Sequence, residues 1–203
     1  MSNAVVAFDR SKMVAALKQT ARSADPQMLF LKMSKAGDWV YGAHEEEITE
    51  DMELLVNPGG FVHGFVCWAD GAKLGEIVKG VDQPVEEPED TPAGSTRGWE
   101  AQLGMTLKIN DPEGANLLFN TSSVGGKRAV AEMAQQVAEK LASGDEKIVP
   151  VVKLSAESYK HKKYGTIYTP AITVVRWIKM PSADDVQSKA KAKAPAKAVA
   201  KRK

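Results

Sequence analysis

The residue types that could do chemistry are most concentrated toward the C-terminal end of the chain. A basic run surrounded by tyrosines consists of Tyr159, Lys160, His161, Lys162, Lys163, Tyr164 and Tyr168. Closely spaced ammonium groups neutralise phosphates and release counterions, and tyrosine rings stack on unpaired bases. The stretch therefore predicts a surface that binds a nucleic acid strand. The alternative is an exposed hairpin tip whose lysines give solubility and whose tyrosines pack as ordinary strand residues.

Three further features could extend such a surface. Arg176 lies in the β-like run that follows and could contact a phosphate. In "SSVGGKRAV", Lys127 and Arg128 follow a glycine pair at a predicted helix start, where free backbone N–H groups could hold a phosphate; a simple capped helix start is the alternative. Trp39 and Tyr41 lie beside a Gly/Asp turn and are predicted to be exposed stacking residues, whereas the other aromatic residues are expected in the core.

Residues suited to metal binding or catalysis are scattered. The candidate soft ligands, which lack the spacing of a zinc site, are His44, His63, Cys67 and His161. The acids from Glu45 to Glu53 could hold a divalent ion, but such segments are usually solvated faces. We therefore expect no metal, no cofactor and no enzymatic activity, and a metal-dependent DNA-processing enzyme is the weakest alternative.

The composition is that of a globular protein from a reducing compartment. The 203 residues are 43% hydrophobic, enough to bury a substantial core. The single cysteine, Cys67, excludes an internal disulfide. No stretch has the length of a signal or membrane-spanning segment, so we expect a cytoplasmic protein with no membrane partner.

The formal charge of +1 conceals an acidic body and a basic tail. Residues 181–203 hold six Lys and one Arg against two Asp, a net charge of +5, which leaves −4 for residues 1–180. We expect residues 1–180 to form one β-rich domain. The Lys/Ala-rich tail is expected to be disordered and to attract polyanions without specificity.

Short β-like runs dominate the predicted domain. Those before residue 80 are separated by turn residues and predict an antiparallel sheet. Residues 80–98, with three Pro and five acids, predict a mobile acidic loop. Two strands, a helix and two more strands are expected to follow, with the basic run at the tip of the last hairpin.

Spacing of apolar residues predicts two helices. An N-terminal helix is expected from about Ser11 to Ser23. The second begins after Ser122 or Ser123 and stops at Gly144. Its apolar face is formed by Val130, Met133, Ala134, Val137 and Leu141.

This order of elements favours a mainly β (α+β) fold. We expect an OB-like Greek-key barrel with extra N-terminal strands and one long helix between barrel strands. In OB barrels the loops that join strands one to two and four to five flank the nucleic-acid groove. The basic run falls where the second of these loops would lie.

Four stretches together resemble a family: "DWVYG", "NPGGFVHGFVCWADG", "LLFNTSSVGGKRAV" and "VVKLSAESYKHKKYGTIYTPAITVVRWI". They are similar to poorly characterised proteins of tailed bacteriophages and prophages, encoded among DNA-replication and recombination genes. The resemblance covers roughly residues 5–179 and implies a phage single-stranded-DNA-binding protein, with replication or recombination proteins as partners. Many such proteins end in an acidic tail that recruits partners, whereas this chain ends in a basic one.

The resulting hypothesis is a non-enzymatic protein that binds single-stranded DNA with little sequence preference in phage replication or recombination. The main rival is a phage structural or host-takeover protein whose acidic segments meet a protein partner. The acidic body favours that rival, because −4 over 180 residues is a weak nucleic-acid footprint. Whether the chain forms a homo-oligomer is left open by the sequence.

Overall fold

The computed structural model describes residues 28–180 except Thr96 and Pro112. The predicted N-terminal helix and the basic tail lie outside the described residues. The described part forms nine strands and one helix: β1 Leu29–Met33, β2 Trp39–Tyr41, β3 Glu46–Glu47, β4 Leu54–Ala69, β5 Ala72–Gly80, β6 Trp99–Ile109, β7 Asn116–Thr121, α1 Val124–Ala142, β8 Val149–His161 and β9 Gly165–Ile178. The prediction of a mainly β fold with a long helix between strands is confirmed.

The strands form one curled mixed sheet. Its order is β3-β2-β1-β7-β6-β4-β8-β9, and β5 pairs with β4. Every pairing is antiparallel except that of β1 with β7, which is parallel. Every pairing among the strands before residue 80 is antiparallel, as predicted, but these strands do not form a sheet of their own. The reason is that β1 takes its second neighbour from the other half of the chain.

The long strand β4 connects the two halves of the sheet. Its beginning pairs with β6 and β8, and its end pairs with β6 and β5. The turn residues Asn57 to Gly60 do not end the strand. They fall where the register with β6 shifts between Val56 and Phe61, so this turn-rich stretch is an irregularity inside one strand. Such irregularities bend a strand, which lets β4 serve different neighbours at its two ends.

Helix α1 covers the core on one face of the sheet. Val130, Met133 and Val137 are buried against strand residues that include Leu54 and Leu117. The predicted apolar face is confirmed except at its C-terminal end, where Leu141 is 49% exposed. The helix begins as predicted, because the Ser123 hydroxyl accepts a hydrogen bond from the Gly126 N–H at 3.1 Å.

The curl of the sheet brings the β1–β2 turn against the β8–β9 hairpin. The indole Nε1 of Trp39 donates a hydrogen bond to the Ser155 carbonyl of β8 at 2.8 Å. In the same turn Gly37 has φ of +96°, and a Cβ there would lie 2.6 Å from the Tyr168 ring. Glycine is therefore required at position 37 both by its backbone conformation and by the close approach of β9.

The acidic segment between β5 and β6 has no helix or strand among its described residues. It is nevertheless tied to the sheet at both ends. His63 Nε2 donates to the Gln83 carbonyl at 2.7 Å, and Trp99 Nε1 donates to the Asp90 carbonyl at 2.9 Å. Its predicted mobility stays a prediction.

Among the described residues, helix α1 lacks the apolar length needed to span a membrane.

Removing the Met133 side chain tests the packing of α1 on the sheet. Met133 is 1% exposed and belongs to the core, so Met133→Ala should lower the free energy of unfolding by about 2–5 kcal/mol. Leu141→Ala, on the same helix but exposed, is the matched control and should change it by less than about 0.5 kcal/mol. Urea denaturation measures both, and equal losses in the two variants would contradict this packing.

Candidate nucleic-acid interface

The basic run lies at the tip of the β8–β9 hairpin, as the sequence predicts. His161 pairs with Gly165 in the last register position, and residues 162–164 form the turn. Six of the seven residues of the run lie within or next to this tip. The seventh, Tyr168, lies farther along β9 and is 37% exposed. Strand β4 pairs with β8 only at Val151 and Val152, far from the tip. Near the tip, therefore, neither the β8 edge nor the β9 edge of the hairpin pairs with another described strand.

Hydrogen bonds and ring stacking order the tip. The Nδ1 atom of His161 accepts from the backbone N–H groups of Lys163 and Tyr164 at 3.2 and 3.3 Å. The His161 and Tyr164 rings stack with centroids 4.8 Å apart, and the Lys163 ammonium lies 5.3 Å from the Tyr164 centroid. Tyr164 is still 66% exposed, so the tip presents an aromatic face beside cations.

A groove of about 480 Å³ runs beside this hairpin. Three aromatic residues from two hairpins line it: Trp68 comes from β4 before the turn to β5, and Tyr159 and Tyr168 come from β8 and β9. The register places Tyr159 and Tyr168 on opposite faces of their hairpin. The three rings are 40%, 51% and 37% exposed. The end of β7 and the start of α1 add polar groups of Asn120, Thr121 and Ser122, and Lys32 of β1 completes a mixed aromatic and polar lining.

Trp68 is a groove residue that the sequence pattern assigns to the core. Alternation along β4 correctly places it on the same face as Val66, which is 2% exposed. It escapes burial because it is next to the last residue of the strand, where the register with β5 shifts between Cys67 and Trp68. The signal that could have identified it is the Asp70-Gly71 turn two residues later, since strand ends beside tight turns are less covered.

The prediction that Trp39 is an exposed stacking residue is wrong. Trp39 is 3% exposed, packs edge to face on Phe119 with centroids 5.1 Å apart, and uses its only donor on β8. Tyr41 is half-buried and lines a different cavity with Leu29 and Met52. Its hydroxyl donates to Glu46 at 2.7 Å, and this bond, with burial and the carboxylate charge, raises the pKa of Tyr41. Neither residue belongs to the groove.

Packing accounts for the glycine pair at the helix start. A Cβ on Gly125 would lie 2.8 Å from Thr169 Cγ2 of β9, and Gly126 is buried against Thr121. Lys127 donates to the Ala101 carbonyl at 3.2 Å. Arg128 forms an ion pair with Glu132 at 3.4 Å, one turn along α1. The structure thus keeps both cations near the helix and outside the groove lining.

Arg176 is not brought together with the basic tip. It lies opposite Val151, eleven residues beyond Gly165, or about 36 Å along β9. Both of its terminal nitrogens bind the Glu53 carboxylate, with Nη2 and Oε2 2.6 Å apart, and Asn110 donates to the same carboxylate at 3.0 Å. The hydrogen bonds from Arg176 lower the pKa of the Glu53 carboxyl group to about 2. The same contact raises the pKa of the Arg176 guanidinium.

Metal ligands do not cluster in the part of the chain that the structure describes. No group of three or more His, Cys, Asp or Glu side chains there is arranged to hold an ion. Cys67 is fully buried.

Comparisons with protein-family models, with curated proteins and with solved structures found no match. The resemblance to phage proteins therefore stays a prediction.

The Glu53–Arg176 pair predicts a defined loss of stability in acid. Because the folded-state pKa of Glu53 lies below its ordinary value of 4.5, the pair stabilises the fold above that value and stops doing so as pH falls toward 2. Glu53→Gln should therefore be less stable than wild type at about pH 6, and the difference should shrink between pH 4.5 and 2.

Chemical denaturation across this pH range measures that difference. Glu86→Gln, which removes an exposed carboxylate from the acidic segment, is the control and should track wild type. A constant gap between Glu53→Gln and wild type down to pH 2 would show that the carboxylate charge does not stabilise the contact.

Proposed function

We propose that this protein binds single-stranded DNA with little sequence preference and without catalysis. The observation that carries the proposal is that three exposed aromatic residues from three strands, Trp68, Tyr159 and Tyr168, line one groove beside the basic tip. Exposed aromatic rings along a groove stack on unpaired bases. Because every base has a π-face, stacking of this kind tolerates any sequence.

The lysines of the tip are the cations best placed to contact phosphates. Within the described chain no carboxylate forms an ion pair with Lys160, Lys162 or Lys163, and all three are exposed. Lys32, by contrast, is bound to Glu45 at 2.5 Å. A phosphate therefore contacts the tip lysines without displacing a carboxylate that is already bound to them. This electrostatic contact adds affinity and salt dependence but no specificity.

We also propose that the curled sheet is a barrel of the OB type with four added strands, β1, β2, β3 and β5. In its support, β7, β6, β4, β8 and β9 are neighbours in that order, and α1 lies between β7 and β8 in the chain. The tip of the β8–β9 hairpin then corresponds to one loop that flanks the binding groove in OB barrels. The connection from β4 to β6, which contains β5, corresponds to the other.

The setting of this activity follows from the family resemblance. We propose that the protein acts in the cytoplasm of a phage-infected cell, on DNA strands exposed during replication or recombination. The basic tail would strengthen binding without directing it. Replication and recombination proteins are the proposed partners, and the acidic segment between β5 and β6 is the element that we assign to them.

Charge reversal at the tip tests the proposal. Lys160→Glu, Lys162→Glu and Lys163→Glu together should weaken binding to oligo-dT at least about tenfold, because three phosphate contacts are replaced by repulsion. The slope of log affinity against log salt should fall by about 2, since each single-strand contact contributes about 0.7. Fluorescence anisotropy of labelled oligo-dT, in the full chain and in a chain lacking residues 181–203, measures both quantities.

A matched variant separates position from net charge. Lys108, Lys147 and Lys179 are exposed and lie away from the groove, and changing them to Glu alters the net charge by the same amount. This control should keep most of the affinity. Equal losses in the two triple variants, or binding that disappears whenever the tail is absent, would contradict a binding site on the folded body.

A further inference from the structure

A further exposed aromatic residue, outside the groove lining, lies close to the groove on the side of β1. Phe30 of β1 is 59% exposed. The ammonium group of Lys73 in β5 lies 5.9 Å from the centroid of its ring and 6.0 Å from the centroid of the Trp68 ring. The two ring centroids are therefore no more than about 12 Å apart.

Curvature of the sheet brings these residues together. In the strand register Phe30 lies level with Leu118 and Thr106, whereas Lys73 and Trp68 lie at the other end of β6, near Trp99. Seven residues of β6 separate the two levels, or about 23 Å in a flat sheet. The β4–β5 hairpin must therefore bend back toward β1. The face between them is concave, which agrees with the burial of Val66 and Gln102.

The position of Lys73 is set by a polar chain that reaches into this face. Its ammonium donates to Oε2 of Glu76 at 2.6 Å, and Oε1 of Glu76 accepts from Nε2 of Gln102 at 3.1 Å. Gln102 is only 5% exposed, so a buried side chain fixes the position of the Glu76 carboxylate. An ammonium has three donors, and Glu76 accounts for one. Unlike the tip lysines, Lys73 is ion-paired, and the pair with Glu76 holds its ammonium between the two rings. Two of its three donors remain for a phosphate.

We infer that Phe30 and Lys73 form an additional nucleotide subsite that continues the groove past Trp68. This inference rests on the proposed function. Phe30 stacks on an unpaired base, and Lys73 contacts the phosphate between that base and the one on Trp68. Two observations select single-stranded DNA as the occupant: one cation, Lys73, lies beside both rings, and Trp68 belongs to both the groove and this subsite.

The subsite predicts a dependence on oligonucleotide length. Oligo-dT of increasing length, from about 4 to 16 nucleotides, is titrated against the full chain, since OB-type sites span that range. For the longer oligomers Phe30→Leu should lower affinity about tenfold, because a leucine cannot stack on a base. For the shortest oligomers that bind, which the groove accommodates alone, it should change nothing. Lys73→Gln should show the same length dependence.

Three variants serve as controls. Phe30→Tyr keeps an aromatic face and should retain wild-type affinity at every length. Val81→Ala changes an apolar residue that is 60% exposed, as exposed as Phe30, and should have no effect. Tyr159→Ala removes a groove ring and should weaken short and long oligomers alike.

The outcomes separate this inference from the function on which it rests. If wild type binds and Tyr159→Ala weakens it, but Phe30→Leu and Lys73→Gln bind every length as wild type does, the subsite is disproved and the function stands. If wild type binds no oligomer, both are disproved. A change in sedimentation of Phe30→Leu with unchanged DNA affinity would make Phe30 part of a protein interface and would also overturn the subsite.

Discussion

Strand β4 must satisfy three neighbours, and the placement of the other elements depends on how it does so. Its sixteen residues pair with β6 along most of their length, with β8 at the beginning and with β5 at the end. A straight strand could not present one edge to two different partners without a bend. The register shift between Val56 and Phe61 supplies that bend. The beginning of β4 then contributes Leu54 and Val56 to the core, while its end carries Trp68 out to the groove.

A second constraint fixes the opposite side of the groove. The sheet does not continue from β7 to β9, because β1 occupies the edge of β7. The β1–β2 turn instead packs against β9 at Tyr168 and is fastened to β8 through the Trp39 indole. The β8–β9 hairpin is therefore supported near its middle and free at its tip. This arrangement places Tyr159 and Tyr168 on a fixed framework and leaves the tip lysines in solvent.

Local pattern predicts the elements of this fold better than their partners. The helix face formed by Val130, Met133 and Val137, the Ser123 cap and the hairpin tip all follow from spacing and turn chemistry, and the structure contains them. The parallel pairing of β1 with β7 joins segments about ninety residues apart, and no local signal encodes it. The same limit explains Arg176, whose partner Glu53 lies 123 positions away.

The candidate site shows this limit most clearly in two tryptophans. Trp39 and Trp68 both lie near a Gly/Asp turn in β-rich sequence. Trp39 is buried and donates a hydrogen bond to a carbonyl 116 residues away, whereas none of the described elements covers Trp68 at the end of β4. Exposure of an aromatic residue is decided by the segment that covers it. The basic run could be placed from sequence because its location depends only on its own hairpin.

Stacking of bases in the groove, as proposed, should be visible in the tryptophan fluorescence of the protein. Trp68 is the tryptophan that lines the groove, whereas Trp39 is buried. Titration of wild type with oligo-dT should quench tryptophan emission, and Trp68→Phe should lose most of that quenching while labelled oligo-dT still shows binding by anisotropy. Quenching that is unchanged in Trp68→Phe, or binding without any quenching in wild type, would show that bases do not stack on Trp68 in the groove.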